Sequence, residues 1–371
     1  MTLLAFSQKG GGINRMNHFG VIIAGGGGTR FWPLSRKKTP KQLLKLSGKD
    51  YMVNEAIDRI SNVIGKSNIL IVTSELQAPT MIEVTRGRIF QSNILAEPVA
   101  RNTTACIGYA AMYIYKKYGD GVMLITPADH YIKNVEVLTD AFKLAIVTAE
   151  KEDKIITIGL HPTFAATGYG YIKSTGEGKI RTVDAFKEKP EEQTAEEYFK
   201  SGKYFWNSGM FIWKASLILR KIKENAFDIY EKLEKLSSSI NTPIEQEVLH
   251  DIYPELRSIS IDYSVMEPSA RNGDVLVIPC DCGWNDIGSW DMLNILHNKD
   301  ENGNIIVGDA VAIDVRNSII YSGSRVVTAV DVDDLVIVET TDAVMVCKKD
   351  KAQNVKKIAK ALAEKKRDEM L

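Results

Sequence analysis

In this 371-residue chain an apolar run, Val21-Ile22-Ile23-Ala24, passes directly into four glycines, Gly25-Gly26-Gly27-Gly28. Thr29-Arg30-Phe31-Trp32-Pro33-Leu34 and then Pro40-Lys41-Gln42 follow. No feature of the sequence constrains the fold more. Short apolar runs of this kind are strands buried on both faces of a sheet. Glycines at a strand end let backbone N–H groups approach a phosphate with no Cβ in the way. Arg30 and Lys41 add fixed positive charge beside them. Glycine runs also serve as plain turns, but the cations and the Trp-Pro and Pro-Lys-Gln steps favour a triphosphate cradle.

Two commoner glycine loops are excluded. A P-loop requires G-x-x-x-x-G-K-[ST], and here the glycines are followed by Thr29-Arg30. A dinucleotide fingerprint G-x-G-x-x-G begun at Gly25 meets Arg30 where glycine is required, and begun at Gly26 it meets Phe31. That removes the main argument for a dehydrogenase.

Composition sets the outer bounds. The chain has 44% hydrophobic and 25% charged residues, ordinary for a globular protein, and its length suits two domains or one large and one small. Lys+Arg and Asp+Glu are 47 each, so no basic excess argues for nucleic acid or an anionic membrane as a partner. Anion binding must come from a few placed residues. Cys106, Cys280, Cys282 and Cys347 lack zinc-site spacing and read as reduced thiols of a cytoplasmic protein. No apolar run approaches the roughly 20 residues of a membrane span. Residues 1–16 carry too short an apolar patch for a secretory signal and read as a disordered extension.

From residue 19 onward strands alternate with helical patterns. Strands are expected at 19–24, 69–73, 92–96, 122–126 and 155–159, with helices at 53–64, 80–90, 103–117 and 135–150. The alternation predicts an α/β, Rossmann-like, mixed but mostly parallel sheet, with ligands at the carboxyl ends of its strands. An insertion from about 161 to 290 should form the second wall of a cleft. Within it, strands are expected at 168–173 and 182–188, a polar helix at 191–200, a mixed turn and strand at 206–213, and one long helix reaching about 236. Val307, Ile313 and Ile319 are six apart, as are Val326, Val332, Val338 and Val344. That spacing points to a small left-handed β-helix, with a β-meander as the alternative, before a basic amphipathic helix at 351–366. The expected domains are 17–298 and 299–371.

Several residues have the chemistry of a nucleotide site. An always-charged guanidinium at Arg30 suits a departing pyrophosphate, and the flexible ammonium of Lys41 suits an α-phosphate gathering charge. Asp129, in Pro127-Ala128-Asp129-His130, and Asp286, in Gly283-Trp284-Asn285-Asp286, could share a Mg²⁺ that keeps waters and phosphate oxygens; either could instead be a turn aspartate. His130 could be a ligand, a base or simply packed. Glu97 ends a strand just before Arg101-Asn102-Thr103-Thr104. Its carboxylate could accept from guanine N1–H and N2–H₂ and would repel the acceptor N1 of adenine. Asn102 or Thr103 could equally be a helix cap. Glu188-Lys189 and Asn207 could hold a sugar and its phosphate, or serve as ordinary strand-end turns.

Taken together, the ordered stretches Gly25–Pro33 with Pro40-Lys41-Gln42, EPVARNTT (97–104), PADH (127–130), GYGY (168–171), FKEKP (186–190), NSGMF (207–211), DYSVME (262–267) and WNDIGSW (284–290) resemble the sugar-1-phosphate nucleotidylyltransferases, in particular the mannose-1-phosphate guanylyltransferase family. The resemblance runs from Phe19 to the terminal helix. It implies that GTP and mannose 1-phosphate give GDP-mannose and diphosphate with Mg²⁺. It further implies that Gly25, Gly26, Gly27 and Gly28 cradle the triphosphate, that Arg30 and Lys41 are catalytic, that Glu97 reads guanine, and that Ala24, Thr29, Arg101 and Asn102 also bind the nucleotide. Gly170, Glu188 and Asn207 would contact the sugar, Lys189 its phosphate, and Asp129 and Asp286 the metal. Phe31 replaces the family's usual leucine. Bifunctional relatives carry a further isomerase domain, whose activity is expected to be missing here. A homodimer is expected. The alternatives are a transferase for another sugar or base and a non-catalytic sugar-nucleotide-binding subunit, although the latter should have lost its cradle charges or metal carboxylates.

Overall fold

The structure, a computed structural model, describes residues 16–371. The extension expected at 1–16 therefore lies outside the described residues except at Met16. There the expectation fails, because Met16 packs against the hydrophobic core.

Eleven strands precede the C-terminal part. In chain order they are β1 (Asn17–Ile23), β2 (Ile69–Ser74), β3 (Ile94–Glu97), β4 (Gly121–Pro127), β5 (Tyr131–Ile132), β6 (Ile155–Leu160), β7 (Tyr171–Thr175), β8 (Arg181–Lys187), β9 (Tyr204–Lys214), β10 (Val275–Cys280) and β11 (Trp284–Asn285). Nine of them form one sheet in the order β3-β2-β1-β4-β9-β6-β10-β8-β7. Only β8 and β9 run against the rest. The sheet is thus mixed and mostly parallel, as its alternating pattern predicts.

Both faces of the sheet are covered, which is why its central strands are apolar throughout rather than alternating. Along β1, Val21 enters one core with Ile107 and Ile114 of helix α1 (Asn102–Tyr118). Its neighbour Ile22 enters the other core with Ile57 and Ile60 from the helix Met52–Ser61 and Phe142 from the helix Val135–Lys151. Successive side chains of a strand point to opposite faces, so one strand feeds two cores.

Three local expectations need correction. The helix expected at 80–90 spans Ala78–Val84, because the chain turns at Gly87 with φ +78. Residues 206–213 are not a turn plus a strand but part of the continuous β9. The Asn207-Ser208-Gly209 sequence is absorbed as a register shift against β6, with Gly209 at φ +66. The long helix expected to reach 236 is two, Ala215–Asn225 and Phe227–Ser237, broken at Ala226 with φ −147. At the break the Asn225 amide donates to the Lys221 carbonyl at 2.9 Å, satisfying an acceptor at a helix end.

The C-terminal strands Ile305–Val307, Ile319–Ser322 and Leu335–Glu339 pair in parallel, as do Ala310–Ile313 and Val327–Val330. The coil therefore advances by 14 and then 17 residues from Ile305 to Ile319 to Val336. A final strand, Val344–Lys348, closes it antiparallel. The six-residue spacing does not mark the inward positions. Ile319 and Val338 are fully buried, but Ile313, Val326 and Val344 are 52%, 56% and 59% exposed. Turns of unequal length shift the register from rung to rung. Ile305, Ile319 and Val336 share a core with Phe31, Trp32, Ile287 and Trp290, so this part braces the segment after the glycines. The closing helix, Lys356–Glu364, turns Ile358 and Leu362 onto the same core.

Candidate active site

The glycine loop leaves the carboxyl end of β1. Its anchor is the buried Gln42 side chain, which donates to the carbonyls of Ala24 at 2.7 Å and Gly26 at 3.2 Å. The Thr73 hydroxyl also reaches Ala24 O, at 3.0 Å. Gly25, Gly26 and Gly27 are exposed, with no heavy atom nearer than 3.5 Å to where a Cβ would stand. Gly28 differs. It sits at φ +57, and a Cβ there would lie 2.6 Å from Lys41 Cβ and N. Only glycine lets the loop close over Lys41 in that left-handed conformation.

A short ribbon brings the two distant aspartates together. β5 and β11 pair antiparallel, matching Asn285 with Tyr131 and Trp284 with Ile132. Asp129 precedes one strand and Asp286 follows the other, so both stand at the same end. The Lys41 ammonium, 5% exposed, lies between them. It donates to Asp129 Oδ2 at 2.9 Å, to Asp129 O at 2.8 Å and to the Asp286 carbonyl. Arg30 Nη1 donates to Gly288 O at 2.9 Å. The Asp286 carboxylate accepts from the Tyr169 hydroxyl at 2.8 Å. Gly28, Thr29, Arg30, Lys41, Asp129 and Asp286 surround one cavity of about 270 Å³.

The electrostatics follow from burial and pairing. Burial works to raise the Asp129 carboxyl, but the charge and hydrogen bond of Lys41 outweigh it and hold the group below the ordinary carboxylate range. Burial pushes the His130 imidazole down to about 4, so it is neutral. It packs edge-on to Trp284, with its Nδ1 buried and unpartnered.

Asp129 also lines a second cavity, of about 360 Å³, which takes in Gly25, Gly26, Glu97, Arg101, Asn102 and Asp262. Glu97 is 5% exposed. Burial pushes its carboxyl up to about 7, against the hydrogen bond it accepts from the Tyr253 hydroxyl. The Arg101 guanidinium donates to Pro254 O. Asn102 is exposed and its side chain accepts from the adjacent Thr103 N at 2.8 Å; the helix begins at Asn102 with Arg101 at its cap and no side-chain cap bond, so the cap expected at Asn102 or Thr103 is not formed. Beyond Asp262 lies a third group. Asn207 donates to Asp262 Oδ1 at 2.8 Å, and a Cβ on Gly170 would fall 2.7 Å from Glu188 Oε2 and 3.3 Å from Asn207 Cβ. Glu188 pairs with the exposed Lys189. Burial and the Glu188 charge push the Asp262 carboxyl up to about 6.

The residues singled out from sequence thus fall into three adjoining groups. Arg30, Lys41, Asp129 and Asp286 form one, Glu97 with Arg101 and Asn102 a second, and Gly170, Glu188, Lys189 and Asn207 a third. Asp129 joins the first two and Asp262 the last two. Sequence reasoning assigned nothing to Gln42, Tyr169, Tyr253 or Asp262. Gln42, Tyr169 and Asp262 lie inside the motifs quoted above and were within reach. Tyr253 lies in none of them, and only the fold sets it against Glu97.

A strand-end glycine loop, two cations and two carboxylates around a phosphate-sized space define a nucleotidyl-transfer enzyme. The chain belongs to the nucleotidyl transferase family, whose profile matches residues 19–303. The MannoseP isomerase/GMP-like beta-helix domain matches residues 308–362. The chain is 38% identical to mannose-1-phosphate guanylyltransferase RfbM of Salmonella typhimurium, over 95% of this chain and 74% of that one. It is 37% identical to the alginate biosynthesis protein AlgA of Pseudomonas putida, over 94% of this chain and 72% of that one. Among solved structures it is similar to a Thermus thermophilus protein described as a mannose-1-phosphate geranyltransferase, with TM-score 0.83 and 30% identity over 94% of this chain and all of that one.

Proposed function

We propose that this enzyme transfers a guanylyl group from GTP to α-D-mannose 1-phosphate, giving GDP-mannose and diphosphate. The observation that carries the reading is the convergence of Gly28, Arg30, Lys41, Asp129 and Asp286 on one cavity, which shares Asp129 with the neighbouring cavity lined by Glu97. A phosphate oxygen of the sugar phosphate attacks the α-phosphorus, and the bond to the departing diphosphate breaks in line. The nucleophile is already anionic, so no general base is required, and catalysis rests on positioning and charge neutralisation. The glycine loop from Ala24 to Thr29 holds the triphosphate. Arg30 takes the diphosphate. Lys41 exchanges its contact with Asp129 for the α-phosphate as charge gathers there. Glu97 reads the guanine edge, with Arg101 and Asn102 beside it. Gly170, Glu188 and Asn207 fit the sugar, and Lys189 its phosphate.

Asp129 and Asp286 would hold Mg²⁺. Among the described residues no group of three or more His, Cys, Asp or Glu side chains converges, and Mg²⁺ needs fewer. It is bound through one or two carboxylates plus waters and phosphates. Each aspartate keeps one carboxylate oxygen outside the hydrogen bonds described above. When bound, the metal neutralises charge on the phosphate oxygens.

Diphosphate release measured across four nucleoside triphosphates and a panel of sugar 1-phosphates tests the reading. GTP with mannose 1-phosphate should be the best pair, and a different base or sugar would reject that part of it. We further place the enzyme in the cytoplasm as a homodimer. All four cysteines are unpaired, which supports a reducing compartment, and among the described residues no helix is long and apolar enough to cross a membrane. The outer face of Ala310–Ile313 and Val327–Val330 exposes Val311, Ile313 and Val330 at 49–53%. Static light scattering should give twice the 41.3 kDa chain mass, and Ile313→Lys should halve it.

A further inference from the structure

We propose that Tyr253 is a positioning residue for nucleotide recognition: its hydroxyl keeps Glu97 in the acceptor form that a base with N–H donors requires. The inference rests on the reading of Glu97 as the guanine reader. Tyr253 is fully buried and its hydroxyl donates to Glu97 Oε1. Glu97 Oε2 is the nearest heavy atom to the loop at Gly25, 3.5 Å from where a Cβ would stand. One carboxylate oxygen is therefore committed to the protein and the other is turned to the cavity. The neighbouring Pro254 carbonyl accepts from Arg101, so a single dipeptide holds both charged residues of the EPVARNTT segment. Tyr253 is itself fixed by an edge contact with Tyr109 at 5.8 Å.

Burial of Glu97 is what makes a donor necessary. From α1 come Cys106, whose thiol burial and the Glu97 charge push up, and Tyr109, whose hydroxyl is likewise raised. Across the cavity stand Asp129 and Asp262, with Arg101 as the one cation lining it. Burial makes a proton on Glu97 the easy state. A protonated Glu97 presents a donor to guanine N1–H, and the two repel. A hydrogen bond donated to the charged form favours that form, and among these neighbours Tyr253 is the one seen donating to Glu97.

The test compares Tyr253→Phe with wild type from pH 6 to 9, reading the KM for GTP at saturating mannose 1-phosphate and the KM for mannose 1-phosphate at saturating GTP. Titration of the substrates' own phosphates is common to both proteins and cancels in the comparison. The acid limb of kcat/KM for GTP should move up by about one pH unit in the variant. At pH 7 that leaves about a fifth of the wild-type ionised fraction and raises the GTP KM about fivefold. At pH 9 the two enzymes should converge, which also shows that the variant is folded, and the KM for mannose 1-phosphate should not change. A GTP KM raised equally at pH 7 and 9, or not raised at all, overturns the role of Tyr253. So does a wild-type profile with no acid limb near 7, a measurement that needs no variant. Glu97→Gln separates the two ideas. If it leaves the GTP preference intact, the guanine reading fails; if the preference is lost while Tyr253→Phe is silent, only the present inference fails.

Discussion

Lys41→Ala should lower diphosphate release by about 10²–10³-fold at saturating substrates, the usual cost of removing one preorganised charge from a transition state. Lys41 is 5% exposed and has three oxygen partners within the site, so no other side chain can swing into its place. Arg30, the other cation lining the cavity, is committed to Gly288 O. The ion pair with Asp129 makes a second measurement informative. Asp129→Asn should cost a similar factor, and the double variant should cost far less than the product, because residues acting as a unit are not additive. The loss should fall on kcat, since the interaction strengthens as charge gathers at the α-phosphorus. Near-wild-type release by Lys41→Ala would remove it from the mechanism.

Glu97→Gln should cost about 10²-fold in kcat/KM for GTP and narrow the preference over ATP by a similar factor, because a charge-assisted acceptor is replaced by a group that presents a donor as well. The same change should stabilise the ligand-free protein at alkaline pH. The folded-state carboxyl is pushed from 4.5 to about 7, so the folded chain holds its proton more tightly than the unfolded chain does. Stability from this group is therefore greatest below pH 4.5, falls as pH rises through 7, and is constant above. The ionised form costs the fold roughly 3 kcal/mol at pH 8. Glutamine carries no such cost and can still accept from Tyr253. Thermal melts should show the variant more stable than wild type at pH 8 and nearly equal at pH 5. Destabilisation at both would show that Glu97 holds the fold rather than the ligand. The expected result is that of a functional residue retained at the expense of stability.

Much of the site could be read from spacing alone. The strand before Gly25 is apolar because both faces are covered, and position 28 is glycine because a Cβ there would stand 2.6 Å from Lys41. Both leave marks at neighbouring positions in the chain. Other features leave no such mark. Asn207-Ser208-Gly209 looks like a turn, yet pairing with β6 on both sides of a register shift keeps it within one strand. The break at Ala226 falls between two apolar helical patterns that join without a visible seam. The six-residue spacing near the C-terminus is real in sequence, but unequal turns place three of those seven residues outward.

Sequence by itself determined the alternation of strands and helices, the glycine loop at the end of β1, and the exclusion of P-loop and dinucleotide patterns. Each depends on residues close together in the chain, where strand periodicity and glycine conformational freedom act. Tertiary structure alone decided which distant groups meet. The β5–β11 ribbon sets Asp129 beside Asp286 across Lys41, and Tyr253 reaches Glu97 from a segment 156 residues away. The physical reason is that a hydrogen bond between buried groups is set by how sheet and helices pack. Packing sums many weak contacts along the whole chain, and no short stretch of sequence records the result.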